Sequence, residues 1–361
     1  MSSPSRVAYL DGLRALGILA VLGVHWAAEY LPIGTGGYIG VDVFFVVSGY
    51  VITSVLWRGP LGESIGGAWV TFMKRRVRRL YPALLGLAIL TPLAIAVVPG
   101  DPDVGVGHAA WNGLLAVLQL TWLPEILGTT TEPFRQTWSL AMEWYFYLLW
   151  PIAVYAARRA GWSATRLARW SAISGVPLYL VALPWGGLIF YAIPPARFAE
   201  ILAGGVVALL AIDAPGPRRA SSSDTAVTAL FLALICAYVV AAPGHYYDPI
   251  CRFVGVPLAV VGTVLLLRHG LTDADSPIKR LFTAAPLTLI GRTSYSLYLW
   301  HWLPIFLLDK DAIALPGIVL AVVGVAMAAG FTALSYRYLE KPFLGSQSGA
   351  LQLGRREPAT R

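Results

Sequence analysis

The chain has 361 residues, 57% of them hydrophobic and only 13% charged, with a mean hydropathy of +0.66. That balance excludes a soluble domain, and apolar runs of the length needed to cross a hydrocarbon core about 30 Å thick recur from end to end, so an all-α polytopic membrane protein is expected. The formal net charge of +8 fits basic cytoplasmic loops obeying the positive-inside rule and calls for no nucleic-acid partner.

In chain order, ten crossings are predicted at about residues 9–29, 38–57, 80–98, 138–157, 170–186, 189–211, 226–242, 253–267, 286–308 and 315–338. The first run follows MSSPSR and reads as a retained helix rather than a signal peptide, because it is too long and more spans follow. A further apolar stretch at 109–127 carries Asn112, Gln119, Trp122 and Pro124. Were it to cross, the loop with Arg158, Arg159, Arg166 and Arg169 would fall outside, so a short re-entrant or interfacial helix is expected instead. With ten crossings every strongly basic loop lands on one side, which predicts a multi-pass protein of the inner (plasma) membrane with both termini cytoplasmic. Residues 1–343 read as a single membrane domain, and 344–361 as a short polar cytoplasmic tail. The two cysteines, Cys236 and Cys251, have no ligand-like spacing, and neither a metal site nor a redox motif is expected.

Ionisable side chains at membrane depth are costly and normally face a cavity or a partner. Arg14 and His25 are eleven positions apart in DGLRALGILAVLGVHW. In an α-helix that spacing returns to within roughly 20° of one direction over about 16 Å of rise. The pair therefore marks a polar stripe running inward from the cytosol, with Asp11 one turn before Arg14 and placed to orient its guanidinium. Arg14 taken alone could simply snorkel to the interface, and His25 taken alone could be a hydrogen-bonded histidine between packed helices; neither explains the shared face. The basic run FMKRRVRRLYP reads either as a topology determinant with affinity for anionic lipid or as a phosphate clamp, with Arg76 and Arg79 on one helix face. Glu143, in QTWSLAMEWYFYLLWP, falls at about the depth of His25. Arg197 and Glu200 form an i,i+3 pair near the outer start of another helix, and His301 lies between Trp300 and Trp302 late in an outward-running one, where an aromatic belt is the simpler reading. Together with Asp42 and Tyr295, the residues Asp11, Arg197, Glu200 and His301 are the candidates for lining a cavity or binding an acceptor.

The segments YLDGLRALGILAVLGVHW, GVDVFFVVSGYVIT, FMKRRVRRLYP, QTWSLAMEWYFYLLWP, RFAEILAGG, SYSLYLWHWLP and SYRYLEKPF, in that order from Tyr9 to Phe343, resemble the acyltransferase-3 family of bacterial membrane O-acyltransferases. The resemblance implies a ten-helix domain that moves an acyl group from acyl-CoA to a hydroxyl, usually on a sugar. It implies that Arg14 and His25 are the family's essential arginine and histidine, that Glu143 is the glutamate after its tryptophan-serine-leucine element, and that Arg76 and Arg79 are its arginine pair. Arg75 and Arg78 fit the same spacing. Many relatives carry a hydrolase-like domain at the C-terminus, for which this chain leaves no room, so a stand-alone form is expected.

The expected reaction has acyl-CoA, acetyl-CoA or a longer short-chain thioester, entering from the cytosol as co-substrate, with no tightly bound cofactor. Its phosphates meet Arg76, Arg79 and Arg14, and neutral His25 removes the acceptor's hydroxyl proton. Glu143 either orients His25 or binds the acceptor, and transfer is either direct or through an acyl-enzyme. The acceptor is either a cell-envelope glycan or the sugar of a secondary metabolite such as a macrolide. An arginine-heavy, alanine- and glycine-rich composition of the kind found in GC-rich actinobacteria leans toward the metabolite and antibiotic biosynthesis. A transporter of a small polar or glycosylated substrate is the alternative from another class.

Overall fold

Residues 4–27, 34–97, 104–214, 219–242, 247–273, 275–308, 313 and 315–344 are described by the structure, a computed structural model. Among them there is no strand. A backbone surrounded by hydrocarbon must satisfy its own polar groups, and a helix does so within one segment. Seven helical stretches are long and apolar enough to span a membrane: Val7–Trp26, Gly37–Arg58, Ile65–Val97, Pro194–Ile212, Ser222–Ala241, Cys251–Gly270 and Gly317–Phe343. Large aliphatic side chains stay exposed on the outer faces, Leu93, Ile173 and Val322 among them, as expected where lipid is the solvent.

Helix α1 (Pro4–Leu22) widens into a π-type turn at Gly23–Ala27, and α2 (Gly40–Arg58) returns beside it. Helix α3 (Ile65–Val97) starts well before the predicted span at 80, so the basic run lies on the helix itself. At 1.5 Å per residue its 33 residues reach about 50 Å, more than the apolar layer requires. The stretch predicted to dip without crossing is two pieces, α4 (Val106–Val117) and α5 (Trp122–Ile126). Gln119, in the left-handed region at φ 61°, breaks them apart, and twelve residues cover only about 18 Å. Helices α6 (Trp138–Arg159) and α7 (Ala164–Ala182) are long enough to cross but less apolar than those seven, with tryptophan, tyrosine, serine and proline interspersed among their aliphatic residues.

The predicted span at 189–211 is two helices, α8 (Gly187–Ala192) and α9 (Pro194–Ile212). Ile193 is extended at ψ 148° because the residue before a proline is pushed out of the helical region. Helix α10 (Ser222–Ala241) opens on a capping box in which Ser221 and Asp224 each bond the other's backbone N–H. Helix α11 (Val256–Gly270) extends a π-type turn at Cys251–Gly255, and α12 (Pro277–Thr283) is a short connection. The predicted span at 286–308 is broken in three: α13 (Ala285–Arg292), α14 (Ser294–Trp300) and α15 (Trp302–Leu307). Pro304 lacks the N–H that would reach the Trp300 carbonyl, which helps to interrupt the helix at His301. Helix α16 (Gly317–Ser335) ends in a further π-type turn and α17 (Lys341–Leu344).

Helices α2 and α9 pack closely through glycines. A Cβ on Gly49 would lie 1.8 Å from the Ile201 carbonyl oxygen, and one on Gly204 would lie 1.8 Å from that of Val46. Small residues that bring backbones this close are how helices associate in a membrane, where burial of apolar surface adds little. This α2–α9 spine, with α1, α3, α6 and α14 around it, positions the polar groups described next.

Candidate active site

Helices α1, α2, α3, α6 and α14 enclose a cavity of about 120 Å³. Arg14 enters from α1, Phe44 and Ser48 from α2, Arg76 and Arg79 from α3, Ser139, Glu143 and Tyr147 from α6, and Ser294, Tyr295 and Tyr298 from α14. The volume is well below the roughly 300–1,000 Å³ that encloses a whole drug-sized ligand, so it suits one charged group of a larger molecule. Three guanidiniums face one carboxylate, and forks of this kind match phosphate oxygens.

The four candidate arginines of the basic run separate by burial. Arg76 is buried and Arg79 half-buried, both on the cavity, whereas Arg75 and Arg78 are exposed. The Arg76 guanidinium sits 5.2 Å from the Phe72 ring centre and 5.9 Å from that of Tyr147, and its Nε has no hydrogen-bond partner among the described residues. Glu143 accepts from the Tyr147 hydroxyl one turn along α6, and that hydroxyl is 3.0 Å from Ser48 Oγ. Tyr147 and Ser48 were not among the sequence candidates, although the i,i+4 spacing of Glu143 and Tyr147 was a signal available in the sequence. Tyr295 lines the cavity as expected and donates to the Leu80 carbonyl at 2.7 Å.

His25 does not line this cavity; it stands in the π-type turn at the end of α1. Its Nδ1 is 2.9 Å from Nε2 of His301, and Nδ1 of His301 is 2.7 Å from the Tyr298 carbonyl oxygen. A carbonyl only accepts, so His301 carries its proton on Nδ1; with both rings neutral, Nε2 of His301 then accepts from Nδ1–H of His25. The proton positions follow from that network, and they leave the lone pair of His25 on Nε2. The two rings are close to coplanar, at 17°. The ring of Tyr298 lines the arginine cavity while its carbonyl holds His301, so this one residue joins the two parts of the site. His301 is fully buried, and its partner is the imidazole rather than an interfacial aromatic belt. Glu143 is tied to Tyr147, so the group that orients His25 is His301.

Beside His25 and His301 the ring of Trp302 stands nearly perpendicular to that of His25 at 4.6 Å between centres, and its indole N–H donates to Glu132 at 2.6 Å. Arg135 pairs with Glu125 at 3.3 Å and with Glu132 at 3.9 Å. Glu125, Glu132 and Arg135 were not singled out from the sequence, where Trp302 was noted only as a neighbour of His301; isolated charges in and after a five-residue helix carry no periodic signal.

The other candidates lie elsewhere. Asp11 pairs with Arg292 of α13 at 3.3 Å and makes no ion pair with Arg14 among the described residues, though the Arg14 charge acts on it. Arg197 is fully buried with Asp42 and Glu200, the latter at 3.1 Å, under the rings of Phe45, Phe190 and Tyr191. Asp42 and Arg197 do not line the arginine cavity, and Glu200 borders a different one. Among the described residues no group of three histidines, cysteines or acids could hold a metal ion.

A family model described as an acyltransferase domain matches residues 7–337. The chain is 28% identical over 353 residues to a candidate peptidoglycan O-acetyltransferase, YrhL, of Bacillus subtilis, which covers 92% of this chain and 54% of the relative. It is 26% identical over 360 residues to the peptidoglycan O-acetyltransferase OatA of Listeria monocytogenes, covering 92% and 55%. A candidate O-acetyltransferase of Staphylococcus aureus strain COL is 25% identical over 357 residues, covering 92% and 56%. The chain thus spans about half the length of the curated relatives it matches. No solved structure matches it.

Proposed function

Since the chain belongs to this acyltransferase family, we propose that it transfers a short acyl group, acetyl in the simplest case, from acyl-CoA to a hydroxyl of a cell-envelope glycan. The single observation that carries this reading is the chain of hydrogen bonds from His25 through His301 to the Tyr298 carbonyl. It leaves a bare imidazole nitrogen at the end of a helix whose Arg14 lines the cationic cavity.

In the proposed reaction Arg76, Arg79 and Arg14 hold coenzyme A phosphate oxygens, and the pantetheine arm carries the thioester past Tyr298 toward His25. Nε2 of His25 takes the acceptor's hydroxyl proton as that oxygen bonds to the acyl carbon. The carbon–sulfur bond then breaks, and the coenzyme A thiolate recovers the proton from His25, so atoms and charge balance. His301 is a positioning residue, keeping the reactive nitrogen of His25 unprotonated in the resting state. Trp302 with the Glu132 and Arg135 pair offers an aromatic surface and charged hydrogen-bonding groups of the kind that suit a sugar. The glycan acceptors in the relatives' names favour an envelope glycan over a secondary metabolite.

The test uses the purified protein in lipid nanodiscs with acetyl-CoA and a soluble N-acetylglucosamine oligomer, following coenzyme A release and acetylated glycan by mass spectrometry. Acetylated glycan in equal amount to released coenzyme A, lost in His25→Ala, is the expected result. Near-normal turnover by a folded His25→Ala variant would overturn the role of His25, and flux of the oligomer across liposomes without acetylation would replace the enzyme by a transporter.

A further inference from the structure

A second cavity, of about 1080 Å³, lies among α7, α9, α10 and α11 and shares no residue with the one lined by Arg14. It slightly exceeds the range typical of small-molecule pockets, roughly 300–1,000 Å³, and its wall is graded. Arg58 ends α2, Arg219 precedes α10 and Arg268 lies in the last turn of α11, so the three sit together at one end of the helix bundle. Beyond them the lining is mostly valine, leucine and alanine. Val176, Leu180 and Val261 line the cavity yet remain 62%, 55% and 44% exposed, so its aliphatic length opens sideways onto the apolar surface of the protein.

We propose that this cavity seats an anionic phospholipid from the surrounding bilayer, with its phosphate at the three arginines and its acyl chains along the aliphatic wall. None of the three arginines makes an ion pair or side-chain hydrogen bond within the described residues, which leaves their forks available to phosphate oxygens. The acids that share the lining are already engaged: Asp224 caps α10, and Glu200 pairs with Arg197. His269 adds a polar group at the same end. It is 2% exposed, its Nε2 is 2.7 Å from Ser276 Oγ, and its Nδ1 has no partner among the described residues. A soluble anion would meet the arginines but leave the long apolar wall unfilled, whereas a membrane lipid satisfies both.

The experiment measures retained lipid by native mass spectrometry on the full chain, stripped with detergent and titrated with phosphatidylglycerol or phosphatidylcholine. Wild type is expected to retain one phosphatidylglycerol far more tightly than phosphatidylcholine. In the triple variant Arg58→Gln, Arg219→Gln, Arg268→Gln that affinity should fall about fivefold per arginine and roughly a hundredfold in all. Ala172→Trp, which projects a large ring from an exposed position on the cavity wall, should displace the lipid whatever its head group. Equal retention of the two lipids, unchanged retention in the triple variant, or undiminished binding in Ala172→Trp would each overturn the proposal. Circular dichroism confirms that each variant is folded, and loss of lipid with acyl transfer intact separates this site from the proposed active site.

Discussion

The pairing of His25 with His301 settles which nitrogen of the His25 imidazole carries no proton, the nitrogen to which the proposed reaction assigns the role of base. His301→Leu removes the acceptor for Nδ1–H and frees the ring of His25 to turn, and turnover should fall about a hundredfold. His301→Gln places an amide oxygen where Nε2 stood and should restore part of the rate with a changed pH profile, measured by coenzyme A release; a merely structural role would give neither rescue nor altered profile. Arg76→Gln and Arg79→Gln should each raise the KM for acetyl-CoA roughly tenfold or more with little change in kcat, because charge-assisted hydrogen bonds are worth about 1.5–3 kcal/mol. The exposed neighbours Arg75 and Arg78 should tolerate the same change. Both arginine pairs have the same spacing, so sequence alone left two registers open; only the direction in which α3 packs decides between them. The two histidines were likewise visible one at a time, but a contact across 276 positions depends on how α1 and α14 meet.

At the scale of helices, seven of the ten expected crossings fall on helices long and apolar enough to span, because a run of apolar residues in hydrocarbon has few conformations open to it. The other three differ: 138–157 and 170–186 fall on the less apolar α6 and α7, and 286–308 on a broken helix. The interruptions at Ile193, Thr293 and His301 were less legible, since prolines show where a backbone bond is lost without showing what the freed groups do. The buried cluster of Arg197, Asp42 and Glu200 belongs to the α2–α9 interface, where sequence reasoning had placed a cavity or acceptor group. Arg197→Met strands two carboxylates and should destabilise the protein by about 3–5 kcal/mol, with any activity loss tracking lost fold. Gly49→Leu drives a side chain into the Ile201 backbone and should cost at least about 1–3 kcal/mol, read as a lower melting temperature in detergent. A normal melt for Gly49→Leu would mean that α2 and α9 do not meet this closely.

For the whole molecule, the distribution of basic residues predicts that the loop after α6 faces the cytosol and the loop before it faces outward. In a background with Cys236→Ser, which removes the exposed native thiol, Thr130→Cys should react with an impermeant maleimide in intact cells. Ala160→Cys should react only after permeabilisation, and the reverse pattern would invert the orientation and with it the side from which donor and acceptor arrive. Within that frame, Tyr298 has an unusual division of labour. The side chain, which lines the cavity and donates its hydroxyl to the Gln136 carbonyl, can be exchanged by a single codon change, but the oxygen that dictates proton placement belongs to the peptide chain, which every amino acid supplies. Variation at this position can therefore reshape the arginine cavity while the carbonyl that fixes the tautomer of the neighbouring imidazole is inherited unchanged.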